Sequence, residues 1–218
     1  MEVSHNQAPL QQEYFDKYNA GGPLNWEIGR PQSAVLHLVQ SGFFSGRVLD
    51  IGCGTGENAR CIARQRNFSS PVKVVAVDLV PKAIEMAKKQ TDPSEFTNLT
   101  FTVFDVLNED NKTDLGRFNF VLDSCLFHGL SDEHRQIYIR QLHRWLKPGG
   151  VYVQLAWSEK ETLERPSGPR KITRSDLEQL FSVNNEWQIE SISDDIIDSI
   201  PEINKGRSSA YLSLIRKL

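Results

Sequence analysis

The stretch Arg47-Val48-Leu49-Asp50-Ile51-Gly52-Cys53-Gly54-Thr55-Gly56-Glu57-Asn58-Ala59-Arg60 constrains this chain more than any other. A short apolar run breaks into glycines at alternate positions and resumes with helix-forming residues. That pattern predicts a buried strand, a tight turn and a helix start, the opening of a βα unit. Gly52, Gly54 and Gly56 permit positive φ and let a ligand lie against main chain without meeting a Cβ. The helix that follows aims its unpaired N–H groups at the same spot. A dinucleotide fingerprint, G-x-G-x-x-G, would put its third glycine at Glu57. The spacing here is G-x-G-x-G, with Asp50 two residues ahead, which disfavours a nicotinamide dehydrogenase.

The rest of the chain repeats the βα theme. Val72–Asp78, Leu99–Asp105, Phe118–Asp123 and Val151–Ala156 read as further strands. Pro81–Lys88 and a helix capped by Ser131 and stopped by Pro148-Gly149-Gly150 lie between them. Another helix follows Thr173, and two C-terminal strands, Trp187–Ile192 and Ser209–Ile215, are joined without one. The expected fold is α/β and doubly wound: a seven-stranded, mostly parallel sheet with an antiparallel hairpin at its C-terminal edge. One domain over 1–218 is expected, with 1–31 as an N-terminal lid segment and 32–218 as the Rossmann-like core. Leu10–Tyr18 is a short amphipathic helix in that segment, ended by Asn19-Ala20-Gly21-Gly22-Pro23, and Ser158–Lys171 reads as a loop.

Four predicted strands reach Asp50, Asp78, Asp105 and Asp123, so four carboxylates are expected to ring a crevice at the carboxyl edge of the sheet. A cationic ligand has reason to prefer such a place. Asp78, 22 residues beyond Gly56, ends the second strand, where a carboxylate can accept from both ribose hydroxyls. Beyond the fourth strand, His128 can accept a proton near neutrality or simply pack beside the ligand, and Cys125 suits a small, mostly buried position.

Asp50-Ile51-Gly52-Cys53-Gly54-Thr55-Gly56 resembles the first motif of the class I S-adenosylmethionine-dependent methyltransferases. The resemblance implies that S-adenosylmethionine is the cofactor. Its methionyl part would lie over Gly52, Cys53, Gly54, Thr55, Gly56 and Asn58, with Asp50 helping to hold the ammonium. It further assigns Asp78 with Leu79 to the ribose and Asp105 with Val106 to the adenine. Asp123, Ser124 and Cys125 would stand beside the transferring methyl, and His128 becomes the one catalytic candidate. The Asn/Asp-Pro-Pro-Tyr/Phe signature of base- and glutamine-modifying enzymes is missing after the fourth strand. Trp26-Glu27-Ile28-Gly29-Arg30-Pro31 is similar to the element that closes over the cofactor in the thiopurine, thiol/halide and tellurite-resistance group. It brings Trp26 and Arg30 to the cofactor, although Trp26 would serve equally as a core anchor. The tryptophan-rich lid of the thiopurine enzymes is not reproduced.

Those resemblances imply methyl transfer to a heteroatom of a small molecule, sulfur or selenium first. Rivals are an oxygen, nitrogen or carbon methyltransferase and a non-catalytic cofactor-binding protein. A net charge of −3 leaves no footprint for nucleic acid, and the apolar runs are too short to span a bilayer. Three cysteines form neither a disulfide framework nor a metal-ligand spacing, so no metal is implied and the cytoplasm is the expected compartment. The Asn-x-Ser/Thr triplets at Asn67, Asn98 and Asn111 then read as chance matches. A monomer or homodimer is expected.

Overall fold

The computed structural model describes residues 11–65, 71–164 and 169–218. Most of the polar Met1–Gln12 stretch, Asn67 and part of the Ser158–Lys171 loop lie outside them. The helices are α1 (Gln11–Ala20), α2 (Ser33–Gln40), α3 (Glu57–Ala63), α4 (Pro81–Lys89), α5 (Asp132–Trp145) and α6 (Arg174–Leu180). The strands are β1 (Arg47–Ile51), β2 (Lys73–Asp78), β3 (Leu99–Val103), β4 (Phe118–Ser124), β5 (Leu146–Trp157), β6 (Trp187–Asp198) and β7 (Arg207–Lys217). They form one sheet in the order β3-β2-β1-β4-β5-β7-β6. β1 to β5 run parallel, and β7 is antiparallel to both β5 and β6. The strand order reverses between β1 and β4, which is where an open α/β sheet takes its ligand.

Sequence explains the elements locally. β1 is buried on both faces, as a central parallel strand must be. The Ser131 hydroxyl accepts from the His134 N–H at 3.2 Å to cap α5, and Thr173 with Asp176 forms a capping box on α6. β5 begins at Leu146 rather than Val151 and runs through Pro148-Gly149-Gly150, with a register slip opposite Phe118 to Phe120. β6 and β7 exceed their expected lengths, so the tip of their hairpin stands at the carboxyl edge beside Trp157.

The register also corrects the ring of four carboxylates. Ile51 is paired with Asp123, and Asp50 with Leu122, so both acids lie within the sheet, on opposite faces. Asp50 points beneath the first turn of α3, and Asp123 points toward α5. Asp123 is 0% exposed. Its Oδ2 accepts from the Tyr138 and Tyr152 hydroxyls at 2.8 and 2.9 Å, and its Oδ1 from the Leu126 and Phe127 N–H groups at 2.9 and 3.2 Å. It anchors the turn after β4 and does not line the cavity described below. Asp123→Ala should strand two buried hydroxyls and two N–H groups and cost about 3–5 kcal/mol. Chemical denaturation checks this, with Tyr138→Phe costing about 1 kcal/mol beside it.

Candidate active site

The glycine turn is built by positive backbone angles and one carboxylate. Gly52 and Gly54 adopt φ of 65° and 53°. The Asp78 carboxylate, at the end of β2, accepts from the Gly54 N–H and the Val80 N–H, each at 2.9 Å. Burial lifts the pKa of Asp78, and these donors partly offset the rise. Gly56 serves packing instead: at φ 88° it caps α3, and a Cβ there would sit 2.7 Å from the Phe101 ring. Thr55 is buried, its hydroxyl engaged with the Glu27 and Glu57 carboxylates.

Above this turn opens a cavity of about 980 Å³. Gly52, Cys53, Gly54 and Asn58 form its floor, Asp78 and Leu79 follow from β2, and Asp105 and Val106 stand beyond β3. Ser124, Cys125 and His128 come from the end of β4, and Trp26 and Arg30 from the N-terminal segment. The structure thus brings these expected residues together, while Asp50, Thr55, Gly56 and Asp123 lie behind the wall. Tyr14, Phe15 and Tyr18 lie in the expected lid segment; sequence reasoning missed Glu27 as a wall residue, His134 of α5, Trp157 and Ile197 of the far strands, and Ile203 of the connection between β6 and β7. The aromatics near Trp26 were a usable signal. The hairpin carried none, because its reach to the carboxyl edge depends on strand length.

The roof is held at two places. Trp26 Nε1 donates to the Tyr18 hydroxyl at 3.1 Å, which donates to Glu27 at 2.8 Å. Arg30 pairs with Asp198 at 3.1 Å, and the Gln32 side chain makes two hydrogen bonds to the Asp198 backbone.

His128 does not have the character of a base. Its Nδ1 accepts the Trp157 N–H at 3.0 Å, and the Cys125 carbonyl is a further hydrogen-bond partner of the ring. Burial, reinforced by the Arg135 guanidinium, pushes its pKa down to about 3. Cys125, at φ 74° on the same turn, has its thiol pushed up to about 12 by burial.

Acidic groups outnumber cations around the glycine turn. Burial, then the fields of Asp123, Asp78 and Glu57, raise Asp50 to about 8, and its Oδ2 has no hydrogen-bond partner. Arg60 already pairs with Glu57 at 3.1 Å, and Arg30 with Asp198. A ligand carrying positive charge and hydroxyl groups is what such a floor lacks.

That match of turn, sheet order and charge is the signature of one class, and the chain belongs to it: the class I S-adenosylmethionine-dependent methyltransferases. The methyltransferase-domain family matches residues 48–150. A 2-heptyl-1-hydroxyquinolin-4(1H)-one methyltransferase of Mycobacteroides abscessus is 32% identical over 190 residues, covering 84% of this chain and 80% of that protein. A probable thiol methyltransferase of Arabidopsis thaliana is 28% identical over 170 residues, 77% of this chain and 70% of that one. A structure from work on the conversion of a disulfide bond into a thioacetal group during echinomycin biosynthesis is also similar. It is 28% identical with a TM-score of 0.79, over 94% of this chain and 91% of that chain. The chain is therefore an S-adenosylmethionine-dependent methyltransferase of small molecules. Its floor fits that cofactor's cationic and hydroxyl groups: Gly52 and Gly54 present main chain without a Cβ, and the Glu27 and Asp78 carboxyl groups line the cavity beside them. Among the described residues no group of three or more His, Cys, Asp or Glu is placed to hold a metal ion, and no helix is long and apolar enough to cross a membrane.

The acidic floor has a consequence for stability. Folded Asp50 keeps its proton to about pH 8, whereas the unfolded chain releases it near 3.9. Its contribution to folding is therefore full below about pH 4 and is lost as pH rises through 8. In cofactor-free protein, Asp50→Asn should gain on wild type across that window, by at most about 1.4 kcal/mol per pH unit. Denaturant melts at pH 5, 6.5 and 8 measure the divergence.

Proposed function

We propose that this enzyme methylates the sulfur of a small, largely apolar thiol, an acceptor that ionises without help from the protein. One observation carries the reading: His128, the imidazole on the turn beside the expected methyl position, has its Nδ1 occupied and stays neutral. The carboxylates on the wall are engaged as well. Asp78 holds the glycine turn, Asp105 accepts from the Leu107 N–H at 2.9 Å, and Asp198 holds Arg30 and the Ser33 N–H. An alcohol or phenol would need a base from among these groups. A thiol with a pKa near 8.5 is already a few per cent thiolate at neutral pH.

When bound, S-adenosylmethionine supplies an electrophilic methyl on a sulfonium. The chain's part is positioning and drying. We read residues 11–31 as a lid whose Tyr14, Phe15 and Trp26 close the cavity against water, on a core of 32–218 in the same domain. The cofactor contacts in this reading are the wall residues from Gly52 to Asn58, Asp78 with Leu79, and Asp105 with Val106.

A second reading is an N-hydroxy heteroaromatic acceptor with an apolar tail. The named acceptor of the mycobacterial relative is of that kind, and a cavity of about 980 Å³ gives such a molecule room beside the cofactor. An N-hydroxy group is far more acidic than an alcohol, so it meets the same requirement.

Steady-state rates on thiols of graded acidity, matched phenols and an N-hydroxyquinolone test the proposal across pH. With thiols, kcat/KM should rise through each acceptor's own pKa. His128→Gln, which keeps an oxygen acceptor for the Trp157 N–H, should lose less than about tenfold, as should His134→Ala. A preference for phenols, with a titration limb that ignores the acceptor and a loss of about a hundredfold in either variant, would overturn it.

A further inference from the structure

The lid segment places a carboxyl group directly on the glycine turn. Glu27 Oε1 accepts from the Tyr18 hydroxyl at 2.8 Å and from the Thr55 N–H at 3.3 Å, and its Oε2 meets the Thr55 hydroxyl. Oε1 lies 2.8 Å from where a Cβ on Gly54 would stand. Glu27 also lines the cavity, whereas Asp50, the acid that the motif resemblance assigns to the ammonium, lies behind the wall. Thr55 brings a further constraint. Its single hydroxyl hydrogen faces two carboxyl groups, Glu27 and Glu57, the latter at 2.7 Å. Only one of them can accept it, so the other must carry a proton of its own. Glu57 is ion-paired with Arg60, which leaves Glu27 as the protonated one. Burial favours the neutral form of Glu27, and the nearby Glu57 charge adds to it.

We propose that Glu27 is the lid's receptor for the cofactor's α-ammonium: the carboxyl loses its proton to solvent on binding and pairs with the incoming charge. The groups facing it come from every neighbouring element: Tyr18 from α1, Thr55 from the turn, and Glu57 and Arg60 from α3. Asp78, at the end of β2, stands beyond Tyr18, and Asp50 lies deeper, behind the turn. Arg60 is the only cation of this set, and it is held by Glu57. An ammonium therefore meets no competing cation at Glu27, and as the carboxyl ionises to pair with it, the ammonium draws down the segment that carries Glu27. Closure of the lid follows positive charge, not adenosine. The inference rests on the family's cofactor and is independent of the acceptor.

Titration calorimetry compares S-adenosylhomocysteine, which carries the ammonium, with 5′-methylthioadenosine, which does not. Repeating it in buffers of different ionisation enthalpy counts protons. Wild type should release a proton with the first ligand and none with the second. Glu27→Gln keeps the acceptor for Tyr18 and Thr55 but cannot ionise. It should weaken S-adenosylhomocysteine by about tenfold or more, abolish its share of proton release, and leave 5′-methylthioadenosine unchanged. Tyr18→Phe removes only a tether of the lid and should weaken both ligands by the same modest factor. Unchanged affinity in Glu27→Gln, an equal loss for both ligands, or proton release that survives the substitution because Asp50 supplies it, would each overturn the assignment. If Glu27→Gln does not fold, equal proton release with both ligands in wild type overturns it as well. Methyl-acceptor assays play no part in the outcome.

Discussion

Acidic groups crowded into a dry corner set the terms for the rest of this molecule. Asp50, Asp78, Glu27 and Glu57 surround one glycine turn, and the Cys53 thiol within it is raised by burial and then by the fields of Asp50, Asp78 and Glu27. Folding alone does not relieve this. Each acid instead found a partial remedy: Asp78 two backbone donors, Glu57 an arginine, and Glu27 two hydroxyls and an N–H. Asp50 retains one unsatisfied oxygen. A protein that keeps such an arrangement tolerates a stability cost in the free state that a cationic ligand removes.

Much of this was legible because it depends on local chemistry. Glycine spacing, alternating apolar runs and the change of rhythm after Phe181 were enough for a parallel sheet with an antiparallel edge, and the register bears that out. The reading of strand ends was weaker. Asp50, Asp78, Asp105 and Asp123 look alike in sequence. β1 and β4 each run one residue past their aspartate, β2 stops on Asp78, and β3 stops two residues short of Asp105. A single step along a strand turns a side chain to the other face, so two acids became wall and two became core. His128 was left between two readings, a proton acceptor and a packed ring, for a related reason. An imidazole's chemistry depends on what faces its nitrogens, and Trp157 is supplied from 29 residues away.

Glu27 shows the same limit from the other side. It was quoted only within the Trp26–Pro31 element that resembles a cofactor-closing segment, with no role of its own, since nothing near it in sequence announces a partner. Thr55 lies 28 residues further on, and their contact exists only because α1 and the following turn fold back over the sheet. Tertiary neighbours, not residue type, decide which carboxylates work.

The Gln32–Asp198 contact spans 166 positions, and the Ile200 N–H reaches the Asn25 carbonyl nearby at 3.3 Å. One anchor of the N-terminal segment is thus a strand near the other end of the chain. Residues 11–31 find a first seat on α4, where Tyr14, Phe15, Tyr18 and Trp26 pack with Val80, Ala83 and Met86, but their second hold waits until β6 has paired with β7. The cavity is therefore completed last, by a contact that joins residues far apart in sequence after the sheet between them has formed.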